Sequence, residues 1–190
     1  MSGGLITLIV VGLVVLFTIT LYNRLVALRQ RRSNAFSDID VQLEQRFNTL
    51  PNMVEVVKGY AAHEKTVFEN VTAARAAVKG SSKMGEDRFA AEQQVTTAIM
   101  GLYAVAENYP DLKADTHFVR LQNEMTDLEN KISAARRFFN SATSEYNTGV
   151  QQFPANILAG MFGFHTEPFF EIDAAKAEQI REVPQVKFGS

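Results

Sequence analysis

The stretch LPNMVEVVKGYAAHEK, residues 50–65, decides the fold, because it places a proline inside a long helical pattern. Apolar residues recur every three or four positions on both sides of Pro51, which is the spacing of an amphipathic helix and not of a strand. Pro51 is therefore either a kink within one helix or a corner between two helices. The stretch NTLPN supplies turn formers, whereas the apolar face passes through Leu50 and Val54 without a break in phase.

Helix length separates the two alternatives. A kink leaves one helix from Arg24 to Lys79, about 80 Å long, which the later helices are too short to cover. A corner gives two helices of roughly 40 Å each, which match their neighbours. We therefore expect an all-α fold in which an antiparallel, up-down four-helix bundle follows a single membrane span. The alternative is three long helices, of which the first is kinked at Pro51.

The later helices have clear limits in the sequence. A second helical pattern covers about Asp87 to Asn108, after the loop KGSSKMG, and Pro110 stops it. Asp115 or Thr116 can cap a last helix that ends near Gly149. Short helices are also expected over 156–161 and 173–181.

The histidines do not form a recognisable metal site. His63-Glu64 begins like the zinc-binding motif HExxH, but Val67 stands where the second histidine is needed. The Glu-x-x-His pairs of di-iron bundles are absent as well, since no glutamate precedes a histidine by three positions. We expect His63 to be an ordinary helix residue, His117 to lie in a first turn and His165 in a loop. The sequence thus predicts no catalytic, cofactor-binding or metal-binding residue, and no enzyme activity.

An uncharged apolar run from Leu5 to Leu21 predicts a membrane-spanning helix. A cleavable signal peptide needs a basic start and a small-residue cleavage site, and the sequence offers neither convincingly. A core helix is the third reading, but core helices rarely stay apolar on all sides. No Lys or Arg precedes the run, and four arginines follow it: Arg24, Arg29, Arg31 and Arg32. This bias predicts a single-pass protein with a short outside tail and a cytoplasmic body, whose arginines contact anionic headgroups of the lipid bilayer.

Composition excludes some functions. Among 190 residues the formal net charge is −2, so no general attraction to nucleic acid is expected. Cysteine is absent, which excludes disulfides and thiolate metal sites. Arg46, Arg75 and Arg136 lie beside the apolar face, and we expect them to extend along the side of the bundle rather than to pair with acids inside it.

The sequence divides into an anchor (1–23), a helical bundle (24–152) and a phenylalanine-rich tail (153–190). The tail either folds over one end of the bundle or contacts the membrane interface or a neighbouring subunit. Its candidate interaction residues are Phe162, Phe164, Phe169 and Phe170.

Several long blocks resemble the LemA family of bacterial membrane proteins. They are YNRLVALRQRRSNAFSDIDVQLEQRFNTLPNMVEVVKGYAAHE, AVAENYPDLKAD, FVRLQNEMTDLENKISAARRFFNSATSEYN and FPANILAGMFGFHTEPFFEI. The resemblance implies an antiparallel helical bundle behind a single span, in the bacterial cytoplasmic membrane. It implies no catalytic motif. Genes of the family often lie near a membrane zinc protease.

The combined prediction is a membrane-anchored structural or scaffold protein that self-associates as a homo-oligomer. The long apolar face, the aromatic tail and the lack of a catalytic constellation motivate it. The alternative is a non-catalytic adaptor that binds another membrane protein, such as an envelope protease.

Overall fold

A computed structural model describes residues 2–170, and the helix expected over 173–181 lies outside them. The described chain is all-helical, without a strand, and its helices are α1 (Ser2–Tyr60), α2 (Lys65–Gly80), α3 (Glu86–Asn108), α4 (Pro110–Ala114), α5 (Thr116–Gln151) and α6 (Ala155–Phe162). The predicted helix over 87–108 is confirmed as α3, and that over 156–161 as α6. The predicted last helix is confirmed as α5.

The predicted corner at Pro51 is wrong, because α1 continues through Pro51 to Tyr60. The helix therefore passes the proline, as the alternative reading required, but it ends well before Lys79. A proline inside a helix costs about 3 kcal/mol, since it removes one hydrogen bond and crowds the preceding turn. Leu50, Met53 and Val57 are fully buried around it, and burying such side chains contributes roughly 1.5–3 kcal/mol each. The unbroken apolar face thus outweighs the local preference for a turn.

The chain leaves α1 at residues 61–64, so His63 lies in a turn and not in a helix as expected. The end of α1 is fixed by Tyr60, whose hydroxyl donates a hydrogen bond to Asp115 at 2.9 Å. Asp115 in turn accepts bonds from the backbone N–H groups of His117 and Phe118, at 2.8 and 2.9 Å. Asp115, one of the two residues predicted for this role, is thus the N-cap of α5, and it satisfies two donors that the helix leaves free.

The chain forms two compact units, and both α1 and α5 contribute to each. The first comprises residues up to Glu44 together with 128–169. The second comprises 45–127 together with Phe170. The second unit has a core of apolar side chains from α1 to α5, which includes Leu50, Val57, Val71, Val95, Leu102, Leu112, Phe118 and Met125. In the first unit the rings of Phe36 and Phe139 meet edge to face, 5.8 Å apart.

Candidate membrane-proximal site

The first part of α1 has its large apolar side chains on the outside. In the described residues one helix is long and apolar enough to cross a membrane, and none of its most apolar window is buried. The hydroxyl groups in this part of the helix are bonded to its own backbone. Thr7, Thr18 and Thr20 each donate to the backbone carbonyl four residues earlier, at 3.0, 2.8 and 2.8 Å. Such internal bonding satisfies a polar group where no water is available to do so.

Tyr22 follows the apolar run and meets the returning tail. Its ring lies edge to face against the rings of Phe162 and Phe164, at centroid distances of 5.0 and 5.7 Å. Immediately beyond it, a small buried cluster joins three helices and the segment after α6; its members are Leu25, Tyr146, Val150, Ala159 and Phe164. The tail therefore packs on α1 and α5 directly next to the end of the apolar run.

Arg32 fixes the segment that follows α6. It is only 4 % exposed. Its Nε donates to the Thr143 hydroxyl at 3.1 Å, and its Nη2 donates to the backbone carbonyl of Pro168 at 3.1 Å. Its Nη1 lies 3.4 Å from the Glu167 carboxylate, and its guanidinium lies 4.8 Å from the centre of the Phe139 ring. A single buried cation thus connects α1, α5 and the tail.

Burial and charge act in opposite directions on this arginine. Burial lowers the pKa of Arg32, and the nearby Glu167 carboxylate partly offsets that decrease. Arginine starts from so high a value that it keeps its charge at neutral pH. Burial also raises the pKa of Tyr146, so this ring stays neutral beside it. Arg32 therefore acts as a permanent cation that holds a neutral carbonyl, a hydroxyl and one carboxylate.

Asn147 makes a second connection to the same tail segment. Its Nδ2 donates to the backbone carbonyl of Glu167 at 2.9 Å, and its Oδ1 accepts from the backbone N–H of Glu167 at 2.8 Å. The side-chain amide thus pairs with the backbone as a neighbouring strand would. We call residues 163–168, held by Arg32 and Asn147, the tail latch.

The four membrane-proximal arginines occupy different environments. Arg24 and Arg29 are exposed. Arg31 is also exposed, but it pairs with Glu145 at 2.6 Å. Arg32 is buried against the tail latch, so of the four it is the least accessible to a lipid headgroup.

The four candidate phenylalanines also divide. Phe164 and Phe170 are buried, and Phe170 stacks obliquely on Phe89 at 4.1 Å. Phe162 and Phe169 keep part of their rings exposed. The structure brings Phe162 and Phe164 together around Tyr22, whereas Phe170 belongs to the second compact unit.

Sequence reasoning missed a buried ionic cluster in the second unit. Arg46 does not extend along the surface as expected: it is fully buried, and it pairs with Glu92. It also donates to the Thr96 hydroxyl at 2.9 Å, and Arg88 binds the other oxygen of Glu92 at 2.7 Å. The signal available in the sequence was the position of Arg46 next to the apolar face, but Glu92 lies on a different helix. Within residues 2–170 no three acidic or histidine side chains converge as a metal site.

Comparison with known proteins identifies the family. The sequence model of the LemA family matches residues 35–188. The chain belongs to the LemA family. The resemblance seen in the sequence is therefore confirmed, and with the apolar helix it supports a membrane-associated helical protein.

Individual relatives of this LemA-family chain are distant. Magnetosome protein MamQ 2 of Paramagnetospirillum magneticum is 25 % identical over 186 residues, covering 83 % of this chain and 68 % of the relative. Magnetosome protein MamQ of Magnetospirillum gryphiswaldense is 23 % identical over 174 residues, covering 78 % of this chain and 64 % of the relative. Protein LemA of Metamycoplasma hominis is 23 % identical over 158 residues, covering 83 % of this chain and 71 % of the relative.

Proposed function

We propose that this chain is a membrane-anchored structural scaffold protein, without catalytic activity, that self-associates at the cytoplasmic face of a bacterial membrane. The continuity of α1 carries the proposal. One helix contains both the apolar run and the residues that pack in the body, from Ser2 to Tyr60. The span therefore continues into the packed helices without a flexible linker, which suits a scaffold better than a flexible tether does.

The cytoplasmic placement of the body rests on the distribution of basic residues. The short segment before the apolar run has no Lys or Arg, and four arginines follow the run within eleven residues of Leu21. Basic residues near a span are retained on the cytoplasmic side. The burial of Arg32 does not weaken this argument, because the bias acts during insertion.

Cysteine labelling tests the side of the membrane, since the native chain has no cysteine. Ser144 is exposed on α5, and Gly3 precedes the apolar run with open space around it. We expect a membrane-impermeant maleimide to label Gly3→Cys in intact spheroplasts, and Ser144→Cys only after lysis. The opposite pattern would place the body outside and contradict the proposal.

The bundle itself is proposed to be antiparallel. As the residue number rises along α1, it falls along α5 in each unit. In the first unit Arg31 meets Glu145 and Phe36 meets Phe139. In the second unit the Thr49 hydroxyl lies 3.4 Å from the Glu124 carboxylate, and the Tyr60 hydroxyl bonds to Asp115 directly before α5. These contacts support helices that run in opposite directions.

Self-association is supported by large apolar side chains that the body leaves exposed. They occur on α1, α3 and α5 and are Val41, Met100, Val119 and Phe138. Phe138 is the largest of them, and it lies directly before the fully buried Phe139. Aromatic side chains of this kind are enriched where subunits meet.

The oligomeric state in native membranes tests the proposal. Particles extracted with a membrane-preserving polymer should contain several copies, as measured by their mass. We expect Phe138→Ala to reduce that number while the helical content stays unchanged, and Ser141→Ala, exposed on the same helix, to leave both unchanged. Particles with one copy at every attainable density would contradict self-association. One copy together with a different membrane protein would favour the adaptor function instead.

A further inference from the structure

We propose that α6 and the preceding Phe153 form a second membrane contact, lying in the interface between headgroups and acyl chains beside the span. The inference depends on the anchoring of α1 in the bilayer. It adds a defined lipid-binding surface in the tail, formed by Phe153, Ile157, Met161 and Phe162, which we call the α6 outer face.

The composition of α6 is unusual for a surface helix of a protein in water. From Phe153 to Phe164 the sequence FPANILAGMFGF has no charged residue. The helix packs on the body through two small residues, Ala155 and Ala159, both buried. Leu158 is partly buried, but the other large residues are exposed: Met161 is 73 % exposed, Ile157 and Phe162 are both 55 % exposed, and Phe153, just before the helix, is 77 % exposed. The small side faces the protein and the large apolar side faces outward, which is the reverse of a soluble amphipathic helix.

The position of α6 determines what covers this face. Phe162 contacts Tyr22, the residue that follows the apolar run, with ring centroids 5.0 Å apart. Ala159 and Phe164 pack with Leu25, one helical turn further along α1. When the run from Leu5 to Leu21 spans the bilayer, α6 is therefore at the level where headgroups begin. Apolar helices at this depth insert their outer side chains among the upper acyl chains.

The tail latch holds α6 at that level. Gly163 ends the helix in a left-handed conformation, with φ 71°, and its neighbour Phe164 returns a backbone hydrogen bond to Ala159 at 2.9 Å. The following residues are then bound by Arg32 and Asn147. The C-terminal end of α6 is thereby tied to α1 and α5, so the outer face is presented without an additional ordering step. The exposed Arg24 and Arg29 follow Tyr22 on α1 by two and seven residues. Their positive charges suit anionic headgroups at the same membrane surface.

Depth-dependent fluorescence quenching in vesicles tests the inference on the full chain. Single cysteines at Met161→Cys and Ile157→Cys carry an environment-sensitive dye, and lipids carry a quencher at either a shallow or a deep acyl position. We expect the shallow quencher to reduce emission at 157 and 161 by at least twofold more than the deep quencher does. Leu16→Cys should show the reverse preference, and Ser144→Cys should respond to neither.

The outcomes separate this inference from the anchoring proposal. If Leu16→Cys is quenched and residues 157 and 161 behave like Ser144→Cys, the second contact is wrong and the anchor stands. If Leu16→Cys is not quenched, the anchor itself fails. Disulfide formation between two Met161→Cys chains, without lipid quenching, would assign the α6 outer face to a second copy and overturn the inference.

Discussion

Within residues 2–170 each compact unit buries one arginine, and the two arginines are satisfied in different ways. Arg46, in the second unit, pairs with the Glu92 carboxylate of α3, which is itself buried and also binds Arg88. Arg32, in the first unit, binds a backbone carbonyl and a hydroxyl, and its carboxylate partner Glu167 is one-third exposed. The second unit therefore contains a closed ionic cluster between helices. The first unit uses its cation to hold a segment 136 residues further along the chain.

The difference concerns what each charge stabilises. Removing one member of a buried ion pair leaves the other member without its partner in a medium of low dielectric constant. Removing Arg32 leaves a carbonyl, a hydroxyl and the partly exposed Glu167 carboxylate without this partner, and water can reach these groups once the tail moves. We expect Arg46 to determine the stability of its unit, and Arg32 to determine whether the tail latch stays in place.

The largest effect is expected for Arg46→Met. We expect this substitution to reduce the free energy of unfolding by about 3 kcal/mol, because Glu92 remains buried with Arg88 alone. Hydrogen exchange should locate the lost protection in α3. Urea unfolding of the detergent-solubilised chain, followed by helical circular dichroism, measures the change in stability.

A double substitution provides the control. Arg46→Met together with Glu92→Leu removes both buried charges and should recover more than half of the loss. If the double variant is less stable than Arg46→Met by itself, the cluster does not behave as a buried pair, and the contrast with Arg32 disappears.

A smaller effect, confined to the tail, is expected for Asn147→Ala. The substitution removes two hydrogen bonds to Glu167, worth roughly 1–2 kcal/mol together. The backbone N–H of Glu167 should exchange at least tenfold faster, while α3 keeps its protection. Arg32→Met should release the same segment at a cost of about 2 kcal/mol.

Asn130→Ala, at an exposed position on the same helix, is the matched control and should change nothing. Loss of hydrogen-exchange protection in α3 in the Asn147→Ala or Arg32→Met variant would contradict this prediction. It would show that the contacts of the tail latch stabilise the second unit as well as the tail.

The elements that the sequence predicted correctly depend on local chemistry. The N-cap at Asp115 follows from an aspartate placed just before a strongly periodic run, and the apolar stretch of α6 follows from its composition. The limits of α3 follow from the loop before it and from Pro110 after it. In each case the residues that determine the structure lie within about one helical turn of it.

The features that the sequence did not predict depend on distant partners. Pro51 has a strong local preference for a turn, but buried residues on both sides of it are held by other helices, so tertiary packing prevails. Arg46 finds its acid 46 residues away, and Arg32 its carbonyl 136 residues away. Periodicity places such residues next to the apolar face, but it does not indicate which group on another helix will meet them.

A half-buried charge should behave differently from both buried arginines, and Asp115 provides the case. Hydrogen bonds from the Phe118 backbone and the Tyr60 hydroxyl hold the pKa of this carboxylate below its ordinary value of 3.8. Because the folded-state pKa is the lower one, the stabilisation is complete above the unfolded value and is lost as the pH falls through the folded value.

We expect the wild type to melt a few degrees above Asp115→Asn at pH 7, since asparagine keeps the cap but carries no charge. The gap should close as the pH falls below about 4. Melting temperatures at the two pH values measure it, and a gap that persists at pH 2 would assign the difference to the shape of the side chain.

The smallest effects on stability are expected for two glycine-to-alanine substitutions, one in each unit. Both lie inside helices, where replacing glycine with alanine gains roughly 0.5–1 kcal/mol if the new methyl group has room. At Gly101 in the second unit, an added Cβ would lie 3.8 Å from Val67, an ordinary contact. At Gly149 in the first unit, it would lie 2.7 Å from the end of the Leu28 side chain.

We therefore expect Gly101→Ala to stabilise the chain by about 0.5 kcal/mol, and Gly149→Ala to be neutral or destabilising. The reason is that α5 approaches α1 at Gly149 so closely that Leu28 must move to admit a methyl group. Urea unfolding of the two variants, with Leu28→Ala added to Gly149→Ala, measures the contrast. Shortening Leu28 should remove the clash with the methyl group added at Gly149. The double variant should therefore lose less free energy of unfolding than the two single variants lose together. Equal stabilisation by both alanines would mean that the close approach at Gly149 does not constrain the first unit.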